Sequence, residues 1–207
     1  MNTAYPVADK LLARISRMGR GSVFSGTDVL DVGSWSAVRQ ALARLARKGM
    51  IRRLAPGLYH FPRINPKLGG ILNPLPDAVA MAVARKTDCR VIPSGAMAAN
   101  VLGLSTQVPA KVIYLTDGSP RTIRYGSQTI VFRFAAPRTM AVSGKTSAVV
   151  FQALRYLGRD GVSETVISKL TRILSAKDKR ILKKDSRYAP QWMRPILSRV
   201  AEGTEDR

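Results

Sequence analysis

The chain carries one histidine, His60, and one cysteine, Cys89, among its 207 residues. Catalysis at a histidine needs a nucleophile and an orienting carboxylate within hydrogen-bond reach. In "GMIRRLAPGLYHFP" (residues 49–62) the neighbours of His60 are Tyr59, Phe61 and, just beyond, Arg63, with no acid among them. One histidine and one cysteine are too few for the usual zinc sets, so no metal, cofactor or catalytic residue is expected. His60 reads instead as an exposed or phosphate-contacting residue of a hairpin.

A second motif is "SGKTS" (residues 143–147). A phosphate-binding P-loop needs another glycine five residues before Gly144, preceded by a strand, so that backbone amides wrap the phosphates. Position 139 is a threonine and the upstream "APRTMA" is not strand-like, so helix capping by Ser143 is the preferred reading. Paired carboxylates for acid–base or two-metal chemistry are missing as well. Asp77, Asp88 and Asp117 are spread over three elements, and Asp28 and Asp31 sit on one short helix. The chain is expected not to be an enzyme.

Charge is the unusual quantity: 34 Lys and Arg face 13 Asp and Glu, a formal net of +21. Such an excess points to a polyanionic partner, with nucleic acid first because phosphate neutralisation releases counterions. Residues 1–63 contribute +8, residues 64–138 +6 and residues 139–207 +7, so more than one face is basic. The run "KDKRILKKDSR" (residues 177–187) fits either a solvated helix or a phosphate or partner surface. No apolar stretch approaches the ~18–20 residues of a membrane span, and "MNTAYPVADK" lacks the regions of a signal peptide. With a single cysteine, the expectation is a cytoplasmic protein.

The elements that must position these residues follow from period and punctuation. Val7, Leu11, Leu12 and Ile15 recur at helical spacing after Pro6, and Gly19 stops that helix. "VFSGTDVLDVGS" reads as a second, short helix capped by Ser25 or Thr27. A third runs from Ser34 or Ser36 to about Lys48, with Val38, Ala41, Leu42 and Leu45 in one arc. Its other side carries Ser36, Arg39, Gln40, Ala43, Arg44 and Arg47 and no carboxylate, whereas a merely solvated face mixes signs. "MIRRL" and "LYHF" then form two strands around Ala55-Pro56-Gly57, a turn sequence. Three helices and a hairpin spell an N-terminal winged helix-turn-helix, whose third helix would enter the major groove.

The expected organisation is α+β. Residues 1–63 form the winged DNA-binding domain, and the Pro- and Gly-rich 64–76 a linker. Residues 77–202 form a mixed α/β C-terminal domain ending in helices, and 203–207 a frayed tail. Within the C-terminal domain "DAVAMAVARKT" and "SGAMAANVLGL" read as helices, "CRVIP" and "AKVIYLTDG" as strands, and "RTIRYG" with "QTIVFRFA" as a hairpin.

"SWSAVRQALARLARKGMIRRLAPGLYHFP", with "AANVLGL" and "YLTDG" downstream, resembles the AbiEi-type antitoxins of type IV toxin–antitoxin systems, most clearly over residues 5–135. The resemblance implies a transcriptional autorepressor that binds inverted repeats in double-stranded DNA at its own promoter. It also implies that the chain counteracts a nucleotidyltransferase-like toxin, typically without a stable complex, as part of phage defence. Carried over residue by residue, Ser34, Ser36, Arg39, Gln40, Arg44, Arg47 and Lys48 are the recognition-helix positions, and Arg52, Arg53, Tyr59 and His60 those of the wing. The tip here is Ala55-Pro56, where such wings often carry a basic residue, which shifts weight to Arg52 and Arg53. Two other readings stay open: a stand-alone winged-helix regulator, and an RNA-binding or enzyme-modulating protein acting through the basic C-terminal domain.

Overall fold

The computed structural model describes residues 6–65, 70–107, 109, 111–142 and 144–203. The class is α+β, as expected. By contacts the chain divides into two compact units, Met1–Cys89 with Ile123–Thr129, and Arg90–Thr122 with Ile130–Arg207.

The first unit begins with helix α1 (Pro6–Met18), which ends at Gly19 with a φ of 84° that favours glycine. The expected short helix is a 3-10 helix (Gly26–Val32) that begins after Ser25, and a strand the sequence did not show, β1 (Val23–Ser25), precedes it. Val23 and Phe24 carry β propensity, and pairing with the hairpin decides the matter in favour of a strand. Helix α2 (Trp35–Arg47) is capped by Ser34, whose hydroxyl accepts from the Ala37 amide. Gly49, at φ 71°, turns the chain into β2 (Arg52–Ala55) and β3 (Leu58–His60).

The sheet order is β1-β3-β2, all antiparallel. On one face Phe24 and Tyr59 stack, their ring centroids 6.0 Å apart, in a core with Leu11, Ile15, Val38, Leu42, Leu45 and Phe61. That core closes α1, the 3-10 turn and α2 over the sheet. Alternation sends Val23, Ser25, Leu58 and His60 to the other face, and all four are buried there too.

The reason is helix α3 (Pro76–Thr87), which packs on β1. Arg85 at its end donates to Asp28 at 2.9 Å and to the Val23 carbonyl at 3.0 Å, and Lys86 donates to the Pro56 carbonyl at 2.7 Å. The first compact unit therefore extends to Cys89, past the expected boundary at 64–76. Within that expected linker, β4 (Ile64–Asn65) and β5 (Gly70–Ile71) pair, while 66–69 lie outside the described residues. Proline-rich composition marked a break in periodicity there, and long-range packing carried the fold across it.

The second unit contains β6 (Val91–Ser94), α4 (Ala96–Val101) and β7 (Lys111–Thr116). The hairpin β8 (Arg121–Tyr125) and β9 (Gln128–Phe134) turns through Gly126-Ser127, its Ile123–Thr129 stretch belonging to the first unit and the rest to the second, and the four strands order as β6-β7-β9-β8. Helices α5 (Pro137–Met140), α6 (Lys145–Leu157), α7 (Glu164–Ile173), α8 (Ala176–Asp185) and α9 (Arg194–Glu202) follow. Residues 204–207 of the expected frayed tail lie outside the described residues.

The core of the second unit is built on α6, whose Val150, Phe151, Ala153 and Leu154 pack with Ala98, Leu170, Leu182, Met193 and Leu197. Ser94 ends β6, and Gly95, at φ 61°, takes the N-cap position of α4.

Candidate nucleic-acid interface

Helix α2 separates its residues cleanly. Val38, Ala41, Leu42 and Leu45 are buried, while Ser36, Arg39, Gln40, Ala43 and Arg47 are exposed along the opposite stripe, continued by Lys48. Spacings of three and four keep these side chains on one surface. No carboxylate lies on the helix. Ser34, also exposed, spends its hydroxyl on the cap and lies 3.3 Å from the Ser36 hydroxyl. Arg44 is half-buried and already engaged within the protein, so it differs from Arg39 and Arg47.

The helix is held at its start by Trp35. Its ring is 54% exposed, and a Cβ added at Gly26 would come within 2.8 Å of it. Gly26 is thus the surface against which the tryptophan ring lies, and one edge of the ring stays open to solvent.

In the hairpin the structure splits the expected set. Arg53 is exposed, whereas Arg52 is half-buried and directs a long 3.5 Å hydrogen bond to the Asn73 side chain. Tyr59 and His60 are buried, at 8% and 1% exposure, and are not surface contacts. The physical cause is that β3 is the central strand of the sheet, with β1 on its other edge and both faces covered. The three residues of β1 run up to the cap of the expected short helix and are not expected to form a strand, so nothing in the sequence puts a strand on the far side of β3.

His60 has no hydrogen-bond partner at either ring nitrogen among the described residues. Burial, together with the positive charge of Arg52 directly across the ladder, pushes its pKa down to about 4. The ring is a neutral member of the buried face.

The acidic residues nearby are mostly spoken for. Asp31 pairs with Arg14 at 3.1 Å. Burial alone would raise the Asp28 pKa. The hydrogen bonds from Arg85 and from the Ser25 amide outweigh it and hold the carboxyl below its ordinary value. With those two carboxylates paired, the α2 stripe and Arg53 face outward as uncompensated positive charge.

Sequence reasoning had no signal for Lys86. It lies 30 residues from the wing turn and in what read as another domain, yet its ammonium sits 2.7 Å from the Pro56 carbonyl. The turn that brings no charge of its own therefore has a cation beside it.

The "SGKTS" segment has no phosphate cradle. Helix α5, not a strand, precedes it, and the Gly144 amide donates to the buried carboxylate of Asp185 at 3.0 Å. That amide is already committed to a carboxylate. The expected cap Ser143 lies outside the described residues, and Gly144 takes the capping position. A side chain at Gly144 would run into Ile181 and Ser147, at 2.6 and 2.8 Å, so tight packing against α8 accounts for this glycine.

Lys177, Lys179, Arg180, Lys183 and Lys184 of the other basic run lie on α8, and some of them are tied down within the unit. Lys179 donates to the Gly203 carbonyl and Lys183 pairs with Glu202 at 3.0 Å. Among the described residues no group of three His, Cys, Asp or Glu could hold a metal ion, and no helix is long and apolar enough to cross a membrane.

Neither a curated protein nor a solved structure matches the chain. A family model does match, over residues 10–182, which takes in the α2 stripe, the hairpin, α3 and most of the second unit. The chain therefore belongs to DUF6088, a family of unknown function.

Proposed function

We propose that the protein is a non-enzymatic, cytoplasmic DNA-binding antitoxin that represses its own operon and counteracts a nucleotidyltransferase-like toxin. The observation that carries the DNA-binding part is the exposed, carboxylate-free stripe Ser36, Arg39, Gln40, Ala43 and Arg47 on α2. The helix-first order, the short turn before α2 and the antiparallel hairpin after it support a winged helix-turn-helix, with α2 as the groove-entering helix. Arg39 and Arg47 are suited to guanine edges or phosphates, and Gln40 to adenine. Arg53 and Lys86 supply backbone contacts at the wing, replacing the charge that Ala55 and Pro56 lack. The antitoxin role rests on the resemblance of the hairpin and the "AANVLGL" and "YLTDG" segments to AbiEi-type proteins.

The test is a gel shift on the protein's own promoter at fixed salt, comparing wild type with the R39A/Q40A double variant. A lost base contact costs about 1–3 kcal/mol, or roughly 5- to 150-fold each, and relaxes preference at one position. Unchanged promoter binding by R39A/Q40A would overturn the assignment of α2. The antitoxin part is checked separately, by co-expressing the chain with the product of the adjacent reading frame and scoring growth; failure to restore growth would sink it.

A further inference from the structure

The second unit contains a half-open cleft of about 270 Å³ that none of the foregoing uses. Phe151, Gln152 and Arg155 of α6 line one wall, with Arg155 next to both Phe151 (i, i+4) and Gln152 (i, i+3) on the helix surface. Arg138 of α5 lines another. The turn after α8 supplies Tyr188 and Pro190. That turn is held from behind by Arg194, which donates to the carbonyls of Ala189 and Arg187, each at 3.4 Å. The Arg187 guanidinium lies 4.8 Å from the centre of the Tyr188 ring.

Three properties of the lining select a ligand. Arg138 and Arg155 are exposed to solvent and form no ion pair among the described residues, and no carboxylate lines the cleft. Two guanidinium groups match the charge of about −1.5 to −2 on a phosphate monoester at neutral pH, and each fits it bidentately. Gln152 is 5% exposed, yet its amide makes no hydrogen bond among the described residues. It borders the cleft, and its amide offers a donor and an acceptor side by side. Tyr188, half-buried at the rim, adds aromatic surface on which a planar ring stacks.

We propose that this cleft binds one nucleoside 5′-phosphate, free or at the end of a strand. The phosphate lies between Arg138 and Arg155, the base lies against Tyr188, and its edge is read by Gln152. The volume falls below the about 300–1,000 Å³ of pockets for drug-sized ligands, so a single nucleotide fits and a dinucleotide cofactor does not. The proposal concerns the second unit alone and is independent of DNA binding by α2.

The experiment is calorimetric titration of the full chain at about 150 mM salt, where exposed charges are largely screened. AMP, adenosine, inorganic phosphate and a 5′-phosphorylated tetra-adenylate are the probes. AMP is expected to bind more tightly than either adenosine or phosphate. R138Q, R155Q and Q152L should each weaken it by about ten- to a hundredfold, while R159Q, an exposed arginine just beyond α6, should leave it unchanged. Equal binding of AMP and the oligonucleotide assigns the site to strand ends, and binding of AMP alone assigns it to the free nucleotide. The proposal is overturned if R159Q weakens AMP as much as R155Q does, since only diffuse charge is then at work. It is also overturned if inorganic phosphate binds as tightly as AMP, or if no probe binds. Trp192 fluorescence confirms that each variant is folded.

Discussion

Acidification should loosen the first unit through one side chain, because His60 is the only histidine in the chain. In the folded protein its pKa lies at about 4, against 6.5 for an unperturbed imidazole. The unfolded chain therefore binds the proton more readily, and stability rises with pH across that window. The contribution is complete above pH 6.5 and is lost as pH falls from 6.5 towards 4. At 1.36 kcal/mol per pKa unit the whole difference is about 3 kcal/mol, of which about 2 kcal/mol is gone by about pH 5. Against a typical domain stability of about 5–15 kcal/mol this is a large fraction.

The perturbation is H60L, which keeps a side chain of similar size and removes the titrating ring together with its two partnerless nitrogens. Urea unfolding is followed at pH 7.5 and pH 5 by Trp35 fluorescence in a W192F background, because Trp35 belongs to the first unit and Trp192 to the second. H60L is expected to be as stable as the parent at pH 7.5, or slightly more so, and to lose about 2 kcal/mol less on acidification. The Asp28 carboxyl, whose pKa lies below its ordinary value, acts mainly below this window and is common to both proteins. The single imidazole resonance also gives a direct check. Titration of that resonance near 6.5 in the folded protein, or identical pH slopes for parent and H60L, would refute the burial argument.

Three further outcomes follow from specific contacts. Gly26→Ala places a Cβ 2.8 Å from the Trp35 ring, so it should cost about 1–3 kcal/mol of first-unit stability, read by denaturant unfolding, and red-shift Trp35 emission as the ring is displaced. Asp185→Ala removes the buried acceptor of the Gly144 amide and should destabilise the second unit by about 1–3 kcal/mol, with Asp185→Asn losing less because an acceptor remains; Trp192 fluorescence against urea measures both. Lys86→Ala should weaken promoter binding about equally for all sequences and lower the slope of log K against log salt by about 1, whereas a base-reading residue would change preference instead.

Local information decided much of this protein. The 3.6-residue recurrence of apolar positions placed α1 and α2 to within a few residues, and the Pro-Gly turn placed the hairpin. The sign pattern on α2 needed no tertiary structure either: a helix that buries Val38, Ala41, Leu42 and Leu45 must expose Arg39, Gln40 and Arg47. What pairs with the outer side of each hairpin was decided by tertiary structure. Val23–Ser25 is too short to show a period of two, so β1 was invisible as a strand, and with it the central position of β3 and the burial of Tyr59 and His60. Residues 76–87 read correctly as a helix, but only packing assigned α3 to the first sheet, set Lys86 beside the wing turn and closed Arg85 on Asp28. The nucleotide-sized cleft is likewise tertiary, because Arg138, Gln152 and Tyr188 come from three separate elements. Periodicity specifies which face of an element is apolar, whereas the partner of that face is set by contacts between residues far apart in the chain.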